Sequence, residues 1–184
     1  MSSEHVLKTN LLSKIGKTEK NQTLFCVFAF LSIITMIIIF LFSSQKAEYS
    51  AALSNEVGSI VENLLSPFKW ILRDGGVLWV KSHIRKIAHF VGYTLLGSFL
   101  LGALLNTKIK RLILKISISA SIGLFYSITD EFHQLFVPGR SGQISDVLLD
   151  FSGVSFGILI CISIYKLICK KSQKTKNKKT NINP

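Results

Sequence analysis

An apolar run without a single charged side chain extends from Leu24 to Phe42 and constrains the fold more than any other feature of the sequence. An α-helix of this length spans about 28 Å, close to the ~30 Å hydrocarbon thickness of a bilayer. A basic segment precedes the run, as in a secretory signal peptide. However, the run is longer than a signal core, and no cleavage-site pattern follows it. We therefore predict an uncleaved membrane-spanning helix.

Three further apolar runs are also long enough to cross a bilayer as helices. They cover residues 87–105, 112–128 and 147–168. Only 17% of the residues are charged, against about 25% in soluble domains. Lys115 lies near the end of the third run, where its long side chain is expected to extend to the lipid head groups. The sequence thus predicts an all-α integral membrane protein, a bundle of four transmembrane helices within residues 24–169.

Basic residues cluster beside these runs and account for the net charge of +12. Fifteen of the 22 Lys and Arg residues lie in three segments: the tail at 1–23, the connection between the second and third spans with the adjoining Lys115 (106–115), and the end of the chain from Lys166. Because cytoplasmic segments are enriched in Lys and Arg, both termini are predicted to be cytoplasmic, where they can contact anionic lipids. No nucleic-acid-binding motif is present. The Lys- and Asn-rich tail at 170–184 is predicted to be disordered.

The loop between the first two spans contains apolar residues at helical spacing. They are Leu53, Val57, Ile60, Val61 and Leu64. This pattern predicts an additional amphipathic helix on the outer leaflet, and Trp70 and Trp79 behind it suit the head-group region. The alternative that the same helix packs on the bundle stays open, because both arrangements bury one apolar face.

Polar residues gather at the outer ends of the last three spans and in the loop between the third and the fourth. Those predicted to form a binding site are Lys86, His89, Tyr93, Asp130, Glu131, His133, Gln134, Arg140, Asp146 and Asp150. Within each helix most are spaced by three or four residues and share a face, so the topology brings them to one depth. Ionisable groups at membrane depth usually pair. We expect Lys86 or Arg140 to pair with an aspartate, and His89 to bond a carboxylate or Tyr93.

The chemistry of this site is left open by the sequence. His89, Asp130, Glu131 and Asp150 are candidates for general acid–base catalysis. No cofactor is predicted; the carboxylates and histidines could bind a divalent metal, but no fixed-spacing metal motif is present. The segment 137–142 has the composition of a tight turn that either aims Arg140 at the cluster or holds an anion such as phosphate.

Several short motifs in these segments resemble the VanZ-like family. They are Phe42-Ser43-Ser44-Gln45, Arg85-Lys86-Ile87-Ala88-His89-Phe90 with Tyr93 and Leu96-Gly97, Thr129-Asp130-Glu131-Phe132-His133-Gln134, Val137-Pro138-Gly139-Arg140, and Asp146, Asp150 and Gly153. The resemblance implies a small multi-span membrane protein. The founding member is associated with low-level resistance to teicoplanin, which implies a role at the envelope of a Gram-positive bacterium. The family resemblance transfers no catalytic role.

Three hypotheses about function follow. The first is an envelope protein whose extracytoplasmic polar pocket engages a membrane lipid or a lipid-linked wall precursor. The second is a membrane enzyme that modifies a lipid head group at the outer leaflet. The third is a scaffold or partner subunit in which the polar cluster only holds the helices together. Transport is disfavoured, since the charges lie at one rim rather than at mid-membrane.

Overall fold

The computed structural model describes the backbone of residues 3–65 and 69–180, and the side chains of residues 18–19, 21–64, 83–171 and 173. Within these limits the chain forms helices and no strand. The helices are α1 (Ser3–Ser43), α2 (Ala47–Leu65), α3 (Lys69–Leu105), α4 (Leu112–Gln134) and α5 (Ile144–Thr180). The side chains of Trp70 and Trp79, and therefore their predicted interfacial role, lie outside the described residues.

Four of the described helices contain a segment long and apolar enough to cross a membrane. These segments are Asn21–Ser43, His83–Leu105, Leu112–Gln134 and Ile144–Lys171. The prediction of an all-α, four-span protein is confirmed. The helices run further than the apolar runs do, and α4 continues to Gln134. Asp130 and Gln134 therefore lie one turn apart on the last turns of a helix rather than in a loop.

Helices α3 and α5 approach closely because glycines line their contact. A Cβ atom on Gly97 would overlap the backbone of Val154, and one on Gly157 would overlap the carbonyl of Thr94. The Ser98 hydroxyl also donates across this contact to the Gly157 carbonyl oxygen at 3.0 Å. In a bilayer, helices associate through such backbone-level packing because no hydrophobic effect draws them together. A Cβ atom on Gly153 would likewise lie 2.7 Å from the carbonyl oxygen of Phe90, so Gly153 and Gly157 both contribute to this packing.

Lys115 does not extend to the head groups, and that prediction was wrong. The side chain is buried, and its Nζ donates to the carbonyl oxygen of Leu105 at 3.0 Å. Leu105 is the last residue of α3, where the final carbonyls have no partner within the helix and carry the negative end of the helix dipole. The hydrogen bond to this carbonyl offsets the desolvation cost of burying the lysine ammonium group. Hydropathy alone does not take such a bond into account.

The prediction of a disordered tail at 170–184 was also wrong for the described part, since α5 continues to Thr180. Residues 181–184 lie outside the described residues. A helix that has already formed adds each further residue without a new nucleation cost, so a polar, Lys-rich continuation can remain helical. A prediction from composition alone does not include this continuation of a transmembrane helix into the polar tail.

Helix α2 confirms the amphipathic helix predicted for the first loop and packs against α3. Ser50 is buried on the α3 side. Leu53, Val57 and Leu64 stay partly exposed. The structure therefore supports packing on the bundle, the second of the two arrangements considered, while leaving an apolar face uncovered.

Candidate functional site

The polar residues meet at one end of the bundle, here called the polar end. Helices α1 and α4 end there, and α5 begins there. A small pocket lies between α3, α4 and α5. It is lined by Arg85, Lys86, His89, Glu131, Gln134, Asp146, Leu149 and Asp150. Seven of these eight residues are polar or charged, which is unusual at the depth of a membrane-spanning segment and marks the pocket as the candidate site.

The rim of the pocket carries an ion pair. Lys86 Nζ lies 3.0 Å from Asp146 Oδ1, and the lysine side chain is 47% exposed. The predicted pairing of Lys86 or Arg140 with an aspartate is thus confirmed for Lys86. A pair this exposed contributes little to stability, about 0–1 kcal/mol, so its charges remain available to a ligand.

His89 lies deeper, between Asp150 and Tyr93. Its Nδ1 is 3.6 Å from Asp150 Oδ1, which is too long for a full hydrogen bond. The rings of His89 and Tyr93 stack with their centroids 6.4 Å apart. His89 therefore lies beside both predicted partners, but it forms the predicted hydrogen bond with neither of them.

Asp130 is held by a residue that the sequence analysis did not include in the site. The hydroxyl of Ser43, the last residue of α1, donates to Asp130 Oδ2 at 2.7 Å, and Gln134 Nε2 donates to Ser43 Oγ at 3.1 Å. A lone serine at the end of an apolar run has no periodic signal. Its position in the Phe42–Gln45 motif shared with the VanZ-like family was the only available indication.

Glu131 connects α4 to the start of α5. Its Oε1 accepts a hydrogen bond from Gln134 Nε2 and its Oε2 accepts one from the backbone N–H of Gln143, both at 3.0 Å. Both carboxylate oxygens of this buried residue are therefore satisfied within the protein. This arrangement favours a positioning role for Glu131 over a catalytic one, because its two oxygens already link α4 to the start of α5.

Other buried polar atoms at the polar end have no hydrogen-bond partner. They are the Tyr93 hydroxyl, Asp130 Oδ1 and both oxygens of Asp150. Buried polar groups in native proteins nearly always form a hydrogen bond, so a ligand, an ion or a water molecule is expected beside these atoms. Ligand atoms of His89, Asp130 and Asp150 also lie within 4.8 Å of one another, a spacing that can accommodate a metal ion.

Two of the predicted site residues face α1 instead of the pocket. His133 Nε2 lies 3.2 Å from Ser44 Oγ, and its ring packs on Phe40. Arg140 donates from Nη2 to the carbonyl oxygen of Phe42 at 3.0 Å, while its Nε and Nη1 are buried without a partner. Burial lowers the pKa of the Arg140 guanidinium, and the charge of nearby Arg85 lowers it further.

The loop between α4 and α5 is the predicted tight turn. Gly139 has a φ of 77°, a left-handed conformation that favours glycine. The Pro138 carbonyl oxygen accepts a bond from the N–H of Ala47 at 3.4 Å, so the turn also holds the start of α2. Gly142 is required for space rather than for positive φ, since a Cβ there would lie 2.6 Å from the Glu131 carbonyl oxygen.

An apolar groove of about 280 Å³ runs between α2 and α3 and reaches the polar residues. Its walls are Phe42, Gln45, Ser50, Leu53, Ser54, Val57, Ile84, Arg85, Ala88 and His89. Arg85 and His89 belong to both the groove and the polar pocket. The two cavities are therefore neighbours that share these two side chains as a common wall.

Fold and site together define a multi-pass membrane protein with a buried polar cluster at one end of its bundle. The sequence model of the VanZ/LLP1 family matches residues 28–167, which include every residue of this cluster, and the chain belongs to that family. Comparisons with curated proteins and with solved structures found no match.

Proposed function

We propose that the protein works at the outer face of a Gram-positive cell envelope, where the polar end binds the anionic head group of a membrane lipid or of a lipid-linked wall precursor. One observation carries this proposal: a charged pocket and an apolar groove share Arg85 and His89 as walls. The pocket, at about 10 Å³, has room for about one water molecule, so the head group would lie at its rim beside Arg85 and Lys86, with its hydrocarbon chain in the groove. This geometry matches an amphipathic ligand better than a soluble one.

The distribution of positive charge supports an anionic head group. Lys86 is partly exposed at the pocket rim, and Arg85 lines both cavities. Arg140 is close enough to Arg85 for their charges to interact unfavourably, and two of its nitrogens are unpartnered. A phosphate beside Arg85 would offset the repulsion between the two guanidinium groups without contacting Arg140 itself.

The orientation in this proposal follows from the basic residues. With the Lys-rich tails in the cytoplasm, where they contact anionic lipids, the polar end faces outward. An outward-facing lipid site is where wall precursors and glycopeptides meet. A contribution to teicoplanin resistance is therefore part of the proposal, as the founding member of the family suggests.

Lipid binding can be tested on the purified full-length protein by native mass spectrometry, with undecaprenyl phosphate, phosphatidylglycerol and a neutral diacylglycerol as separate probes. Replacing Arg85 with alanine is expected to weaken binding of the anionic probes by about 10–100-fold, the value of one charge-assisted hydrogen bond. Preference between the two anionic probes distinguishes a wall carrier from a phospholipid. No discrimination against the neutral lipid would contradict the proposal.

Lys46 provides the matched control for this experiment. It is an exposed cation just before α2, near the polar end but outside both cavities. Lys46→Ala removes the same charge and should leave the affinity within about twofold of wild type, because exposed charges contribute little to a buried contact. Equal losses in Arg85→Ala and Lys46→Ala would indicate a general charge effect rather than a site.

The second candidate function is an enzyme that acts on the lipid head group. It is favoured by Asp150, whose carboxylate is buried and unpartnered beside His89, an arrangement that suits a general base. Comparing the lipids of cells with and without the protein by mass spectrometry separates the two candidates. Catalysis predicts a lipid species that appears or disappears, whereas binding alone leaves the composition unchanged.

A further inference from the structure

We propose that His89, Asp130 and Asp150 together bind one divalent transition-metal ion, Zn²⁺ or Mn²⁺, at the polar end. One ligand comes from each of the helices α3, α4 and α5, and the candidate ligand atoms all lie within 4.8 Å of one another. The inference goes beyond lipid binding and stands whether or not a lipid occupies the pocket.

The two aspartates lack a positive partner. Asp150 is 1% exposed and Asp130 is 3% exposed. Among the described residues, no Lys or Arg forms an ion pair with either of them; Lys86 pairs with Asp146 instead. Two ionised carboxylates buried this deeply are strongly unfavourable without a compensating charge. A divalent cation would balance both negative charges at once.

A shared proton is the competing explanation, and it leaves more of the site unexplained. Three oxygens of Asp130 and Asp150 have no partner, and the nearest nitrogen of His89 is 3.6 Å from Asp150. One proton can bridge only two of these atoms. A metal ion can contact all three side chains together, which accounts for their convergence from three helices.

The donor set selects the kind of metal. An imidazole nitrogen with two carboxylates suits Zn²⁺ and Mn²⁺, whereas Mg²⁺ and Ca²⁺ prefer oxygen ligands alone. His89 remains 13% exposed toward the pocket, so a coordination position can stay open to water or to a phosphate oxygen. Sites of this kind with three protein ligands and an open position are typical of reactive metal centres.

Neighbouring residues already orient one of the ligands. The Ser43 hydroxyl bonds Asp130 Oδ2 at 2.7 Å, which leaves Oδ1 free. Partners that fix the unbound oxygen of a ligating carboxylate commonly set metal affinity. Ser43 is therefore a positioning residue in this proposal and does not contact the metal.

The test uses the full-length protein in detergent, stripped with a chelator and dialysed separately against Zn²⁺, Mn²⁺ and Mg²⁺. Bound metal is quantified by mass spectrometry. Wild type is expected to retain one Zn²⁺ or Mn²⁺ per chain, and His89→Gln, Asp130→Asn and Asp150→Asn to lose it. Ser43→Ala should bind about 10–100-fold more weakly. Glu56→Gln, at an exposed position on α2, is the charge-matched control and should bind as wild type does.

Two outcomes overturn the proposal: wild type that retains no stoichiometric Zn²⁺ or Mn²⁺, or metal that remains after all three ligand replacements. The second result identifies adventitious binding elsewhere on the chain. Because no lipid is needed for this measurement, its failure leaves the lipid proposal intact. Conversely, metal retained by a protein that binds no anionic lipid would reject only the lipid proposal.

Discussion

Gly157→Leu is expected to lower the free energy of unfolding by about 3 kcal/mol or more, the upper end of the range for overpacked sites. A side chain at this position must occupy the space of the Thr94 carbonyl on α3, and a backbone atom cannot rotate away as a side chain can. Helices α3 and α5 would have to separate. His89 and Asp150 would separate with them, so lipid binding should be lost as well. Thermal unfolding in a single detergent measures the first effect.

Ser152→Leu is the matched control for this substitution. Residue 152 is exposed on the same helix, and its hydroxyl bonds only the Leu149 carbonyl of α5. The added leucine faces lipid there, and we expect a change within about 0.5 kcal/mol. If Gly157→Leu proved as stable as Ser152→Leu, the glycine contact would not determine how α3 and α5 pack.

Asp150→Asn is expected to keep or raise stability in the presence of a chelator, while abolishing function. Asparagine has nearly the same shape without the charge, and neither oxygen of Asp150 has a hydrogen-bond partner to lose. Removing a buried carboxylate charge that has no compensating partner also removes its desolvation penalty, which is several kcal/mol per ion. Thermal unfolding gives the stability, and teicoplanin susceptibility of a Gram-positive host at equal protein level tests the proposed function.

This pair of measurements separates a functional site from a scaffold. If the cluster only held the helices together, Asp150→Asn would lower stability and function in parallel. Asp146→Asn serves as the comparison, because it removes a carboxylate whose lysine partner is 47% exposed, and the stability change should stay within about 1 kcal/mol. Unchanged resistance in Asp150→Asn would exclude the carboxylate from the activity.

The four spans and the convergence of charged residues were predictable from the sequence, because both depend on periodicity and topology. His89 on α3 and Asp150 on α5 lie close together. Because successive spans alternate in direction across the membrane, the topology places both residues near the same end of the bundle. The spacing of Asp130 and Gln134 likewise places both on one face of α4.

What the sequence could not predict depends on single contacts between distant segments. Ser43 reaches Asp130 across 87 positions of the chain, and Lys115 finds the carbonyl of Leu105 only because α3 ends beside it. Neither contact leaves a repeating pattern. The apolar groove depends on the angle at which α2 packs on α3, and amphipathicity does not determine an angle.

The glycine contact between α3 and α5 has a consequence for how proteins of this type diversify. The closely packed pair α3 and α5 holds His89 and Asp150 in place. The other wall of the groove belongs to α2, which packs against α3 through few buried side chains. Substitutions on α2 can therefore change the shape of the apolar groove without moving the charged groups. If the groove holds a lipid chain as proposed, one polar cluster could in this way be combined with grooves that fit different lipid tails.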